Sequence, residues 1–127
     1  MPKLIGAKKI NVAVFISGNG SNFKNLINYS LKKNSKFKIS LVISNKSNIK
    51  GLDYSKKINI KKKIVNYLNI KKAEKDILNK LKKKKIDLIC LAGFMKILSI
   101  NFIKNFNGKI INIHPSLLPK YKGLNTH

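Results

Sequence analysis

Two kinds of hydrophobic pattern alternate along this chain. Ile10 to Ile16 is a β-branched, nearly unbroken apolar run, the mark of a strand covered on both faces. After a Gly-rich turn, Phe23, Leu26, Ile27 and Leu31 recur at helical spacing, so residues 22–33 form an amphipathic helix that Ser21 or Asn22 can cap. Lys38 to Ser44 is a second strand. Residues 49–58 read as a short helix weakened by Gly51, and residues 64–68 as a third, weaker strand. Ile70, Ala73, Ile77, Leu78 and Leu81 are spaced for a helix over 71–84 with lysines on its wet face. Ile86 to Ala92 is a strong strand closed by Gly93, a short helix follows over 99–106, and residues 109–113 form a last short, buried strand. Strands that alternate with helices predict an α/β fold, a Rossmann-like, mainly parallel sheet flanked by helices. No repeat, linker or interior boundary interrupts the pattern, so residues 1–127 read as one domain or part of one.

The last strand ends in residues that can do chemistry. Ile111 and Ile113 alternate with Asn112 and His114, which puts the two polar side chains on one face. Pro115 removes a backbone donor and holds His114 extended, so the strand stops there. Open α/β sheets bind ligands at the carboxyl ends of their strands. An Asn and a His at a strand end can equally satisfy local backbone groups. The loop Gly18-Asn19-Gly20-Ser21-Asn22 leaves two readings open as well. Its glycines and the helix N-terminus after it could cradle a phosphate, or the loop could be a structural turn. It matches neither the dinucleotide fingerprint nor the P-loop. A third stretch, Phe94-Met95-Lys96-Ile97-Leu98, is apolar where a loop should be polar. It either plugs the core or forms a flat slot for a heterocycle whose polar edge is read by backbone groups.

Charge changes the picture less than its size suggests. There are 28 basic and 4 acidic residues, for a net charge of +24. Such an excess raises nucleic acid or an anionic membrane as partner. Every basic residue is Lys, however, and none is the Arg preferred for bidentate phosphate and base recognition. The lysines are spread along the chain among many Asn and Ile, so specific nucleic-acid binding is not expected. The runs 61–63, 71–72 and 82–85 belong on solvated ends and faces of elements. Cys90 is the only cysteine and lies within an apolar run, so it is a core filler in a chain without intrachain disulfides. Lys8 and Lys9 before Ile10–Ile16 mimic a signal peptide, but the stretch is short and runs into Gly-Asn-Gly-Ser-Asn. No segment is long enough to span a membrane. A cytoplasmic setting is expected.

Taken in order, Ile-Ser-Gly-Asn-Gly-Ser-Asn, Ile-Ser-Asn-Lys at 43–46, Leu-Ala-Gly-Phe-Met-Lys-Ile-Leu and Asn-Ile-His-Pro-Ser-Leu-Leu-Pro-Lys-Tyr-Lys-Gly-Leu-Asn-Thr-His resemble phosphoribosylglycinamide formyltransferase of purine biosynthesis. The resemblance runs from about Ile10 to His127. The His-Pro-Ser-Leu-Leu-Pro segment is shared with methionyl-tRNA formyltransferase and marks only the formyltransferase superfamily. The Ser-Gly-Asn-Gly-Ser-Asn loop favours the glycinamide enzyme. Pro115 argues against the related formyltetrahydrofolate deformylase. The resemblance implies a formyltransferase fold and transfer of a formyl group from 10-formyltetrahydrofolate, the co-substrate, to the amine of glycinamide ribonucleotide. It implies that Gly20, Ser21 and Asn22 hold the substrate phosphate, and that Met95, Lys96, Ile97 and Leu98, with Asn112, bind the folate. It implies Asn112 and His114 as the catalytic pair, with no metal. Asn112 would donate to an oxyanion, and His114 would supply the neighbouring cation and the proton.

Some positions depart from the family. Lys96 stands where Arg is usual, and Ile70 aligns with a folate-contacting Arg, so no site residue is carried over there. The family chain continues past the equivalent of His127 and there supplies an aspartate partner for the catalytic His. This sequence has Asp53, Glu74, Asp76 and Asp87, and no acid after His114. The resemblance therefore implies that residues 1–127 are the N-terminal portion of a single formyltransferase domain. It further implies that this polypeptide alone has little activity, and that a second polypeptide is one possible source of the remainder. Two rival readings are a methionyl-tRNA formyltransferase-like enzyme and a non-catalytic basic binding module.

Overall fold

The computed structural model describes residues 8–18 and 20–113. Among these residues, five strands alternate with four helices: β1 (Ile10–Ile16), α1 (Ser21–Ser30), β2 (Phe37–Ser44), α2 (Lys50–Lys57), β3 (Lys61–Ile64), α3 (Ile70–Lys83), β4 (Leu88–Leu91), α4 (Ile100–Asn105) and β5 (Lys109–Asn112). The sheet order is β3-β2-β1-β4-β5 and every pairing is parallel. The Rossmann-like α/β sheet expected from the alternation is therefore present. β1 is central because its side chains are apolar in both directions. Ala13 and Phe15 join Leu41 and Ile43 against Ala73, Ile77 and Leu81 of α3 and Phe102 of α4. Val12, Val14 and Ile16 join Val42 against Phe23, Leu26 and Ile27 of α1 and Leu52 of α2. The sheet is thus covered on both faces, as parallel sheets require.

Polar side chains fasten β1 at each end. At its start, the Asn11 N–H donates to Asp87 Oδ2 at 2.8 Å, and Ser40 Oγ donates to Asn11 Oδ1 at 2.9 Å. At its finish, Ser17 makes the corresponding links among the loops that follow β1, β2 and β4.

The structure corrects the sequence reading at several points. The third strand is Lys61–Ile64, not residues 64–68. Apolar content pointed to the later segment, but pairing with Leu41–Ser44 decides the register. β3 ends the sheet, its lysines are largely in water, and charged side chains suit such an edge. Val65, which donates to the Ser44 carbonyl at 2.8 Å, leads the chain away into the core. Neither Ser21 nor Asn22 is the N-cap of α1; Gly20 is, at φ 77°, with no side-chain cap bond. α1 stops at Ser30, and Leu31, which the spacing put on the buried face, is 66% exposed. β5 lies at the other end of the sheet and is not buried: Ile111 is 42% exposed.

Candidate functional site

Strand order reverses between β1, whose neighbour β2 lies on one side, and β4, whose successor β5 lies on the other. The loops leaving adjacent strands at such a point turn to opposite faces and open a crevice at the carboxyl edge. That crevice is present here as a cleft of about 90 Å³ lined by Gly18, Gly20, Ser21, Asn22, Ala92 and Gly93. It brings together the β1–α1 loop and the end of β4, two stretches far apart in sequence. Gly20 adopts the left-handed conformation, and a Cβ there would lie 2.6 Å from Gly51 Cα. Gly51 in turn donates its N–H to the Gly18 carbonyl at 3.4 Å. A glycine that weakens α2 as a helix therefore lets α2 sit directly against the loop. Ser21 and Asn22 form the first turn of α1, where backbone N–H groups and the positive end of the helix dipole favour an anion.

The loop after β4 divides its apolar side chains between the core and solvent. Phe94 is half-buried, with its ring edge-on to Phe15 at 5.3 Å and to Tyr67 at 5.9 Å. Leu98 also packs against the core. Met95 and Ile97, at 76% and 91% exposure, form an apolar ledge facing solvent. Lys96 carries its ammonium 5.9 Å from the Tyr67 ring. Tyr67 holds its hydroxyl oxygen out of water with no hydrogen-bond partner. Burial first, and the charge of Glu74 second, push its pKa up to about 12. Burial alone pushes the Cys90 thiol up to about 11, which suits a core filler and not a nucleophile.

Asn112 ends β5, exposed, and pairs in register with Leu91, the residue just before the cleft-lining Ala92 and Gly93. It thus sits one strand away from the cleft, at the same level. His114 and Asn19 lie outside the described residues. Gly20, Ser21, Asn22, Met95, Lys96, Ile97, Leu98 and Asn112 all fall at the carboxyl edge of the sheet. A larger groove of about 1320 Å³ runs between α3 and α4, lined by Glu74, Leu78, Phe102 and Phe106 among others. It lies on the flank of the sheet and holds none of the predicted site residues.

A model of the family described as formyl transferase matches residues 10–127. The chain belongs to the formyl transferase family. It is 46% identical over 123 residues to the human trifunctional purine biosynthetic protein adenosine-3, covering 94% of this chain and 12% of that one. It is 45% identical over 122 residues to the phosphoribosylglycinamide formyltransferase of Haemophilus influenzae, covering 91% of this chain and 56% of that one. Among solved structures, the phosphoribosylglycinamide formyltransferase of Brucella melitensis superposes with a TM-score of 0.80 at 39% identity. That match covers 94% of this chain and 64% of the Brucella chain. This formyl transferase chain thus spans about half the length of the single-function relatives it matches, and much less of the trifunctional ones.

Sequence reasoning did not single out Ser17. It is 3% exposed, donates from Oγ to Asn45 Oδ1 at 2.5 Å, and accepts the Met95 N–H at 2.8 Å. The signal was a serine directly after a wholly apolar strand, a place where a buried hydroxyl must find partners.

Proposed function

We propose that this chain supplies the substrate-binding crevice of a phosphoribosylglycinamide formyltransferase, an enzyme of purine biosynthesis. In this reading, residues 1–127 are the N-terminal portion of one formyltransferase domain, working in the cytoplasm on small-molecule substrates. The observation that carries the reading is the cleft where Gly20, Ser21 and Asn22 meet Gly93, with the Met95–Ile97 ledge on the same loop and Asn112 one strand away. The amides of Gly20, Ser21 and Asn22 suit the phosphate of glycinamide ribonucleotide, a dianion at a helix N-terminus. Met95 and Ile97 offer apolar contact to the pterin of 10-formyltetrahydrofolate, flanked by Lys96 and Leu98. The folate supplies the formyl carbon. Asn112 donates an amide N–H to the oxygen that gains charge as the amine attacks, and His114 moves the proton. Relatives named for purine biosynthesis favour this reading over a methionyl-tRNA formyltransferase. The lysines along β3 and α3 are mostly exposed, as solvated edge and face residues are.

A chimera tests the reading: this chain joined to the part of the Haemophilus influenzae relative that it does not cover. Folate absorbance should report formyl transfer to glycinamide ribonucleotide, and Asn112→Ala should lower kcat by about 10²–10³-fold, as loss of one oxyanion donor does. A folded chimera that ignores glycinamide ribonucleotide but formylates initiator methionyl-tRNA would reverse the assignment. One that binds nucleic acid through its lysines and neither small substrate would point to the binding module.

A further inference from the structure

We infer that Ser17 is a positioning residue that couples the two halves of the crevice, so that an anion at residues 20–22 tightens binding of a heterocycle on the loop 93–98. The inference rests on the reading of those loops as phosphate and pterin sites. Three loops meet at this one hydroxyl. The Met95 N–H can only donate, so Oγ accepts it, and the hydroxyl proton is committed to Asn45 Oδ1. The orientation of the hydroxyl is therefore set by both partners together. Ser17 immediately precedes Gly18, whose carbonyl is held by the Gly51 N–H, so it is fixed in the same short loop that borders the cleft. At 3% exposure it cannot itself reach a ligand. Its partner Met95 is 76% exposed and forms part of the ledge, so the buried hydroxyl bonds the backbone of a residue whose side chain faces solvent. No pairing of strands reaches this point: β4 ends at Leu91, and between Ala92 and Met95 the loop is tied to β1 by the Ala92 N–H to the Phe15 carbonyl and then by Ser17.

An anion held at residues 20–22 stiffens the loop that Ser17 begins, without any contact to Ser17 itself. Through the Met95 N–H, that stiffening lowers the ordering cost of the ledge. A second ligand then binds more tightly, and by thermodynamic reciprocity the effect runs both ways. Asn45, from the loop after β2, is the third anchor, which keeps the hydroxyl from turning to other acceptors.

The test uses the 127-residue chain, inorganic phosphate and folic acid as probes, and amide NMR as the readout. In the wild type, phosphate should shift the Ser21 and Asn22 amides together with the Met95 amide, and should tighten folic acid by about fivefold or more. In Ser17→Ala the Met95 amide should stop responding, its hydrogen exchange should speed up, and the tightening should fall to none. Ser17→Thr, which keeps the hydroxyl, should restore it. Asn45→Ala, which leaves Ser17 in place, should give an intermediate loss and covers the case in which Ser17→Ala does not fold. If phosphate and folic acid both bind but do not influence each other, or influence each other equally in the wild type and the variants, the coupling is wrong and the assigned function stands. If neither probe perturbs residues 20–22 or 93–98 in the folded wild type, the functional reading fails, and this inference with it.

Discussion

Replacing Gly20 with alanine combines two distinct costs. At φ 77° an L side chain is strained, by roughly 1–2 kcal/mol. The new Cβ would also stand 2.6 Å from Gly51 Cα, which is backbone and cannot swing aside. Relieving that contact moves the start of α2 away from the loop, an overpacking cost of about 1–3 kcal/mol. Together they come to about 2–5 kcal/mol, a large share of the roughly 5–15 kcal/mol that holds a domain folded. Neighbouring glycines separate the two terms. Gly93 shares φ 77° but has nothing within 4 Å, so Gly93→Ala should lose only the conformational part, about 1–2 kcal/mol. Gly18 has open space and no positive φ, so Gly18→Ala should stay within about 0.5 kcal/mol of wild type. Gly51→Ala gains about 1 kcal/mol of helix propensity but meets Ile16 Cδ1 at 2.6 Å and the Gly18 carbonyl at 3.0 Å, so it should be neutral to mildly destabilising. Urea unfolding, with midpoints compared at constant slope, measures all four variants. If Gly20→Ala costs no more than Gly93→Ala, the close approach of loop and helix is not limiting, and Gly51 is not what lets α2 sit against the loop.

Four further outcomes are expected. Glu74, 6% exposed, accepts both the N–H and the hydroxyl of Ser99, the N-cap of α4. Glu74→Ala should therefore cost about 1.5–3 kcal/mol in the same urea assay, and Glu74→Gln, which keeps an acceptor, less. Tyr67→Phe removes a buried hydroxyl without a partner and should be neutral or stabilising by up to about 1 kcal/mol; a loss above that would mean the hydroxyl is satisfied in solution. The Cys90 thiol, raised from 9.0 to about 11, should resist a thiol reagent at pH 8 in the native chain and react once urea unfolds it. Both raised groups keep their protons longer when folded than when unfolded. Stability should therefore fall as pH rises from about 9 to 11 through Cys90 and from about 10 to 12 through Tyr67, and Tyr67→Phe should remove the second part in an alkaline titration followed by circular dichroism.

Where hydrophobic pattern and pairing agreed, the sequence sufficed. β1 reads as a two-sided apolar strand and lies at the centre of the sheet; α3 reads as one apolar stripe and buries Ala73, Ile77 and Leu81. The pattern misled where pairing overrode it. Lys61, Lys62 and Lys63 carry no strand signal, yet backbone bonds to β2 make them one, because an edge strand can leave its side chains in water. Gly51 looked like a flaw in a helix because its reason, contact with Gly20, lies in another loop. The site followed the same rule. Gly20 and Asn112 stood out as candidates from local chemistry, and their place at the carboxyl edge of the sheet followed from the strand pattern, whereas Ser17 acquires its meaning only from Asn45 and Met95, which the chain brings to it from elsewhere.

Having its first strand at the centre of the sheet gives this molecule a history as well as a shape. β1 and β2 are close in sequence and can pair as soon as both exist, but β1 must wait for β4: Asn11 and Asp87 are 76 residues apart, and Ser17 and Met95 are 78. Such distant closures are the slow ones. As the chain emerges from the ribosome, one side of β1 stays open until residues 88–95 arrive, and the crevice does not exist before then. The crevice is thus among the last things this fold makes, and a stalled or partly folded chain can hold most of its helices while lacking it.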